Sequence, residues 1–205
     1  MRTWQTIRAP ALHRHVHRSA YAAVVLSGCY EEAGDSGRHQ VSAGHVLLHD
    51  AHEGHLNRFR GCRATVLNLP LPGDCLFRAG LAQIDDPDAI VHLAEKDGGE
   101  AAAQLVASLQ VLEPKGHDWP DELAADLLRD ASVSLSWWSE ANGLAAWEVS
   151  RGFAQVFEIS PSAFRARART RQAWRAIRAT DAPLAAIAAE CGFADQAHMT
   201  RSIKR

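Results

Sequence analysis

Along this chain the spacing of apolar positions changes from strand-like to helical. In the first seventy residues the apolar runs are short: "AYAAVVLSG", "RHQVSAG", "HVLLHD" and "CRATVLNLPL". Turn material such as "EAGDSG" and "HEGH" separates them, which predicts the strands of a small sandwich or barrel. On this reading "YEEAGDSG" is a hairpin with a polar turn, and Pro70, Pro72 and Gly73 mark the exit from the strand region. Further on, "GGEAAAQLVASLQVLEP" places Leu105, Leu109 and Leu112 on one helical face. That stripe reads either as a homodimer seam or as an ordinary core face. "PKGHDWP" interrupts the pattern. The rest is rich in Ala, Leu and Arg and predicts helices near 121–130, 135–141, 145–157, 161–179, 182–191 and 195–205.

Several of these helices carry start and stop signals. Ser134 is placed to cap the run from Leu135. Ser160 precedes Pro161, a cap followed by proline at the first helical position, and Asp195 caps the last helix. Gly143 and Gly192 suit left-handed stops. The helical half also repeats itself faintly. "GLAAWEVSRGF" and "GFADQAHMTRSI" align with Ser150-Arg151 over Thr200-Arg201. Small residues, Ser139 and Ala188, stand four before each glycine, where two helices must cross closely. This is the logic of a helix-turn-helix, whose second helix enters a major groove. Phe153, Val156, Phe157, Phe164, Phe193 and Met199 read as core, and so do Trp137, Trp138 and Trp174. Trp147 reads equally well as groove-facing or packed.

Charge sharpens the division. The net charge of −2 conceals a basic end, because Ala145–Arg205 holds ten Lys/Arg against five Asp/Glu. A basic module behind an acidic one points to an anionic partner. Eight of the eleven histidines lie between His13 and His55, so metal or ligand chemistry belongs to the front. The four cysteines, Cys29, Cys62, Cys75 and Cys191, form no CxxC pair and fit a reduced, cytoplasmic chain. No apolar run approaches the roughly 18 residues of a membrane span. No Ser-His-Asp set, phosphate-binding loop or dinucleotide fingerprint is present.

The segments "LSWWSEANGLAAWEVSRGFAQVFEISPSAFRARARTRQAWRAI" and "PLAAIAAECGFADQAHMTR" resemble the DNA-binding domain of the AraC/XylS transcription regulators over roughly residues 121–205. The resemblance implies two helix-turn-helix units joined by a long helix. They would read duplex DNA in major-groove segments about one turn (~34 Å) apart. It carries the base-facing positions onto Trp147, Ser150 and Arg151, and onto Gln196, Ala197, His198, Thr200 and Arg201. Ala197 departs from a hydrogen-bonding role. Arg165, Arg167, Arg169 and Arg171 step around the bridging helix, with Arg165 and Arg169 assigned to the DNA backbone.

In such regulators a barrel in front is usually a cupin-like sensor, and this front half is similar to one. His15 and His17 stand two apart and share a strand face. "GHVLLHDAHEGH" resembles the second cupin motif and supplies His55. These three imidazoles are the expected ligands of a divalent metal, zinc first. Tyr21 occupies the place of the pattern's glutamate, with Glu31 and Glu32 too far along to serve. Tyr21 and His49 are expected to line a pocket for a small-molecule effector.

The expected architecture is therefore two-domain α+β: a cupin-like β-barrel over 1–95, a helical linker over 96–118, and an all-α double helix-turn-helix domain over 119–205. The function expected is that of a non-enzymatic DNA-binding transcription regulator sensing a small molecule or metal ion. The alternative is a metal-dependent cupin enzyme, of dioxygenase or isomerase type, with a helical appendage. One further expectation concerns the end of the chain. Members of the resembled family continue into another short helix, so Met199 and Ile203 are expected to form an apolar edge without cover, as if the last unit were cut short.

Overall fold

The computed structural model describes residues 4–61, 63–71, 80–113 and 118–204. Cys62, Cys75, the exit turn at Pro72-Gly73, the break at 114–117 and the terminal Arg205 lie outside them. The chain divides into two compact units, Met1–Gly116 and His117–Arg205.

The first unit holds β1 (Trp4–Ile7), β2 (Ala11–Val16), β3 (Tyr21–Gly34), β4 (Gly37–Ser42), β5 (His45–His49), β6 (Gly54–Arg58), β7 (Ala64–Pro70), β8 (Gly80–Gln83) and β9 (Gln110–Val111), with α1 (Pro87–Ala94) and α2 (Gly98–Ser108). All strand pairs are antiparallel. One ladder runs β1-β7-β3-β5-β8-β9, and a second runs β4-β3-β6-β2. The expected barrel is not closed: what joins the two ladders is β3. Its first half pairs with β5 and β7, and its second half with β4 and β6.

This double membership explains the sequence pattern. Ala22 and Val24 face one core with Val46, Leu48, Leu67 and Leu69, and α1 and α2 cover it with Ile90, Ala101, Ala102 and Leu105. Ala23 and Val25 face a second core with Tyr30, Val41, Leu47, Phe59 and Val66. A strand buried on both faces reads as a continuous apolar run rather than an alternating one. Residues 96–118 are consequently not a linker throughout. The helix α2 ends at Ser108, short of the expected three-leucine face; Leu105 is fully buried on the sheet and Leu109, in extended backbone, packs beside it, so these two belong to the core and Leu112 lies beyond β9.

β3 changes ladder at an irregularity between Val25 and Ser27, followed by Gly28 at φ 81°. A side chain there would strain the backbone, and a Cβ would lie 1.7 Å from the Arg63 carbonyl oxygen. Gly34 and Gly37 close the next hairpin. At its tip the buried Asp35 accepts from the Gly54 amide at 2.8 Å and pairs with Arg14. Glu31 and Glu32, read from the sequence as turn material, are thus buried strand residues. "HEGH" likewise runs into β6.

The second unit contains α3 (Trp119–Arg129), α4 (Leu135–Ala141), α5 (Ala146–Phe157), α6 (Pro161–Ala179), α7 (Leu184–Glu190) and α8 (Gln196–Lys204). The predicted caps operate. Ser134 accepts from the Trp137 amide, Ser160 from that of Ala163, and Asp195 from that of His198. Phe153, Phe157 and Phe164 stack and cross at ring distances of 4.5–5.4 Å. Trp119 lies over Gly152, where a Cβ would meet its ring at 2.5 Å. Trp138 is buried and donates to Asp126 at 2.9 Å. Two of the expected core tryptophans are not core: Trp137 is 65% exposed and Trp174 40%. They fall on outward helix positions, which hydrophobicity alone does not reveal. The expected bare edge is also absent. Met199 is fully buried among Ala173, Ile187, Ala188, Cys191 and Phe193, with Ile203 packed against them.

Gly28→Ala is expected to destabilise the protein by roughly 2–5 kcal/mol, combining left-handed strain with a backbone collision. Chemical denaturation of the full chain checks this; an unchanged midpoint would show that the corner tolerates a side chain.

Candidate DNA interface and histidine cluster

In the second unit the two candidate reading helices are presented by hydrogen-bonded turns of the same design. The Leu144 amide donates to the Ser139 carbonyl at 2.9 Å, and the Phe193 amide to the Ala188 carbonyl at 2.9 Å. Gly143 and Gly192 provide the left-handed residue, at φ 65° and 72°. The second turn is one residue longer, so the turns repeat at an offset of 49 while Val149 and Met199, the inward residues of the reading helices, are offset by 50. Glu148 reaches back to the Ala145 amide at 2.8 Å and fixes the start of α5.

The candidate base-reading residues fall mainly on exposed positions. Trp147, Ser150 and Arg151 are exposed along one face of α5, so Trp147 is not packed into the core. On α8, Gln196, Ala197, His198 and Arg201 are exposed and Thr200 is half-buried. Two of these are partly engaged. The Thr200 hydroxyl donates to the Gln196 carbonyl at 2.9 Å, and the His198 ring stands edge-on to Phe193 at 5.3 Å.

The bridging helix departs from expectation. Arg165 donates to the Val133 carbonyl at 3.1 Å. Arg169 donates to the Ala131 carbonyl at 3.4 Å, and its guanidinium lies 5.8 Å from the centre of the Phe193 ring. Both are half-buried. Read from the sequence as backbone contacts to DNA, they direct donors into the domain itself. Arg169 links the segment before α4 to the turn before α8. Only the one-residue spacing of arginines was visible in the sequence, not which carbonyls they meet.

In the first unit the histidines gather. His15 on β2 is paired in register with His55 on β6, and the rings lie 4.4 Å apart. His17 lies 4.9 Å from His15 and 5.2 Å from His55. The donor atoms of these three fall within 4.8 Å of one another. His15 holds its Nδ1 2.8 Å from the His13 carbonyl, which makes Nδ1–H the donor and leaves Nε2 as the lone pair.

The expected pocket residues join the same group. Tyr21 stacks on His49 at 4.5 Å, and its hydroxyl is 3.4 Å from His55 Nε2. Sequence reasoning missed Glu32. Its Oε1 lies 3.6 Å from His49 Nε2, while Oε2 accepts from Asn57 at 2.8 Å. Glu32, His49 and His55, all buried, make a second set of donor atoms within 4.8 Å. The adjacent Glu31 points elsewhere, towards Gln40, Arg58 and Arg60. That is the one-residue alternation of a strand. A carboxylate therefore does join the cluster, from eleven residues further along β3 than Tyr21, the position the motif gives to glutamate.

Burial sets the protonation states. It drives the Glu32 carboxyl well above the usual carboxylate range, and nearby Glu53 adds to this while Asn57 opposes it. It pushes the Tyr21 hydroxyl up, helped by Glu32. It holds His55 far below the ordinary imidazole range, reinforced by His49, His15, His17 and Arg14. His17 is lowered too, by burial and then by His15. Neutral imidazoles are the form that binds metal.

Residues 138–205 match the family model of a helix-turn-helix domain. With two such units bridged by α6, the chain is a DNA-binding transcription regulator. More narrowly, the matched helix-turn-helix domain is of the AraC type, and an antiparallel β-sheet domain precedes it in the chain. No curated protein matches by sequence. Among solved structures the chain is similar to ToxT from Vibrio cholerae at 8% identity, covering 98% of this chain and 94% of that one, with a TM-score of 0.43. A structure described as unsaturated fatty acid bound wild-type ToxT from strain SCE256 of that organism overlaps at 8% identity, 100% and 88% coverage, and TM-score 0.44. The polyketide cyclase RemF from Streptomyces resistomycificus overlaps at 14% identity, 47% and 68% coverage, and TM-score 0.27. Overlaps this loose transfer no ligand and no residue role. Among the described residues no helix is long and apolar enough to cross a membrane.

A pH dependence follows from His55. Its folded value lies below the unfolded value near 6.5, so on acidification the unfolded chain takes up the proton first. Stability is complete above that value and is lost progressively below it. The full chain in chelator is therefore expected to melt lower at pH 5 than at pH 7.5, with His55→Gln narrowing the gap. Thermal unfolding at both pH values tests this, and a gap unaffected by the substitution would exclude His55 as its source.

Proposed function

We propose that this regulator reads DNA through Trp147, Ser150 and Arg151 on α5, and through Gln196, His198, Thr200 and Arg201 on α8, under the control of a small molecule or metal ion bound by the histidine cluster. The observation that carries the reading is the pair of matched turns, each presenting a helix with polar residues outward and apolar residues inward. Arg suits a bidentate contact to guanine and Gln to adenine, while Ser and Thr are adaptable. Arg165 and Arg169 act as struts of the reading domain, so their removal lowers stability before it lowers phosphate contact.

In the front unit, His15, His17 and His55 are one of two candidate donor sets, three imidazoles that suit zinc. The donor set fits on two grounds. His15 has its Nδ1 committed to a backbone carbonyl, and the buried His55 Nδ1 has no hydrogen-bond partner. Tyr21 and His49 stand beside it as the effector-contacting pair. The enzyme alternative loses one of its objections, because Glu32 restores a carboxylate to the cluster. The helix-turn-helix half nonetheless favours regulation over catalysis.

Duplexes selected from a random pool by the full chain provide the test. Binding is expected to weaken with salt in proportion to the phosphates neutralised. Arg151→Ala is expected to cost about 1–3 kcal/mol and relax preference at one base position. Arg169→Ala should instead lower the unfolding temperature. If the two variants lost affinity equally with unchanged melting, the division between reading residue and strut would be wrong. If the chain selected no sequence at all, the DNA-reading assignment would fall.

A further inference from the structure

Two sets of metal-binding side chains meet at His55, and they differ in chemistry. The outer set, His15–His17–His55, consists of three imidazoles, two of them half-buried. His17 lies beyond the end of β2. The inner set, Glu32–His49–His55, sits entirely on strands: Glu32 on β3, His49 at the end of β5 and His55 on β6. Each of its members is no more than 3% exposed. Ligands on strands locked by packing hold a site more tightly than ligands in connections.

The inner set also has the supporting shell that metal sites require. Asn57 fixes one carboxylate oxygen of Glu32 at 2.8 Å and leaves Oε1 facing His49. Tyr21 stacks on His49 and brings its hydroxyl to His55 Nε2, so one aromatic side chain orients both imidazoles. Charge favours it further. A buried carboxylate is costly unless it is neutralised, and a divalent ion bound by it would do so. The outer set brings no negative charge of its own.

We propose that Glu32, His49 and His55 form a divalent transition-metal site deeper than the histidine triad, and that one ion per chain occupies it in preference to the outer position. A carboxylate with two imidazoles in a closed pocket suits zinc or cobalt rather than calcium or magnesium, which take all-oxygen sets. Because His55 serves both sets, filling the inner position leaves only two imidazoles outside. The inference rests on the reading of the cluster as a metal site, and the experiment separates the two.

The full chain, stripped with chelator, is titrated with cobalt(II) and followed by its visible absorption, with zinc as competitor. One cobalt per chain is expected. Glu32→Gln, close to isosteric, and His49→Ala should each weaken binding at least about tenfold. The His15→Ala/His17→Ala double variant should retain one ion at an affinity within about threefold of the native chain. Far-ultraviolet circular dichroism confirms folding, and Glu32→Gln decides the matter where His49→Ala fails to fold. Loss of cobalt from the double variant with retention in Glu32→Gln would overturn the inner site and leave the outer triad standing. Loss in both would overturn the preference for the inner position. A native chain that takes up no cobalt would remove the metal reading altogether.

Discussion

The geometry of the front unit depends on one strand having to turn a corner. Tyr21 and Glu32 are eleven residues apart on β3, a separation of roughly 36 Å if the strand ran straight. Yet the Tyr21 ring lies 4.5 Å from the His49 ring, and a Glu32 oxygen lies 3.6 Å from the His49 Nε2. Both ends of one strand therefore converge on one imidazole. The irregularity after Val25 and the left-handed Gly28 make this possible, with the Arg63 carbonyl occupying the space a side chain would need. Without the bend, the two ladders would share neither a core nor a polar cluster.

The bend also accounts for what was legible in the sequence. The apolar core of β3 announced a strand, because Ala22–Val25 is packed on both faces. Its continuation did not, because Glu31, Glu32 and Asp35 look like turn material until their partners are known. Glu32 is a ligand candidate only through Asn57 and His49, which lie 25 and 17 residues away. Nothing local to "YEEAGDSG" specifies that pairing. The histidines were legible as a group, since His15 and His17 share a face by spacing alone, but their convergence with Tyr21 and His49 is a product of register. The helices of the second unit were legible almost residue by residue, because Ser134, Ser160 and Asp195 cap them through bonds spanning only three residues.

In the reading domain the same contrast separates position from purpose. Repeat and turn fixed where α5 and α8 begin, and the exposure of Trp147 and Arg151 follows from Val149 and Phe153 facing inward. Charge along α6 points to a partner outside the molecule, yet Arg165 and Arg169 each also hold a carbonyl of the domain itself. A guanidinium carries five donors on a long apolar stem. At a crowded junction it serves equally well to satisfy carbonyls that no helix caps, as Arg165 does for Val133 and Arg169 for Ala131. The guanidinium of Arg169 also lies beside Gly192, where a Cβ would touch its Nε at 3.7 Å, and it rests against Phe193.

The buried Glu32 carboxylate is the least comfortable group in the front unit, and its neighbours define how it can be neutralised. Arg14 is committed to Asp35, and Arg58 and Arg60 turn to Glu31 on the opposite face of the strand. Nearby, His17 and His55 are lowered by burial, so they offer lone pairs rather than positive charge. Two species can balance the site: a proton, on the carboxyl or on His49 beside it, or a cation taken in from outside. Both act on the same donor atoms, so proton and metal compete. A cluster built this way cannot be indifferent to its contents. With the proton, Glu32 becomes a donor able to meet the His49 nitrogen; with a cation, the carboxylate and two imidazoles are drawn together across three strands. A cation in the proposed site would tie β3, β5 and β6 together, whereas a proton would engage only Glu32 and its neighbour.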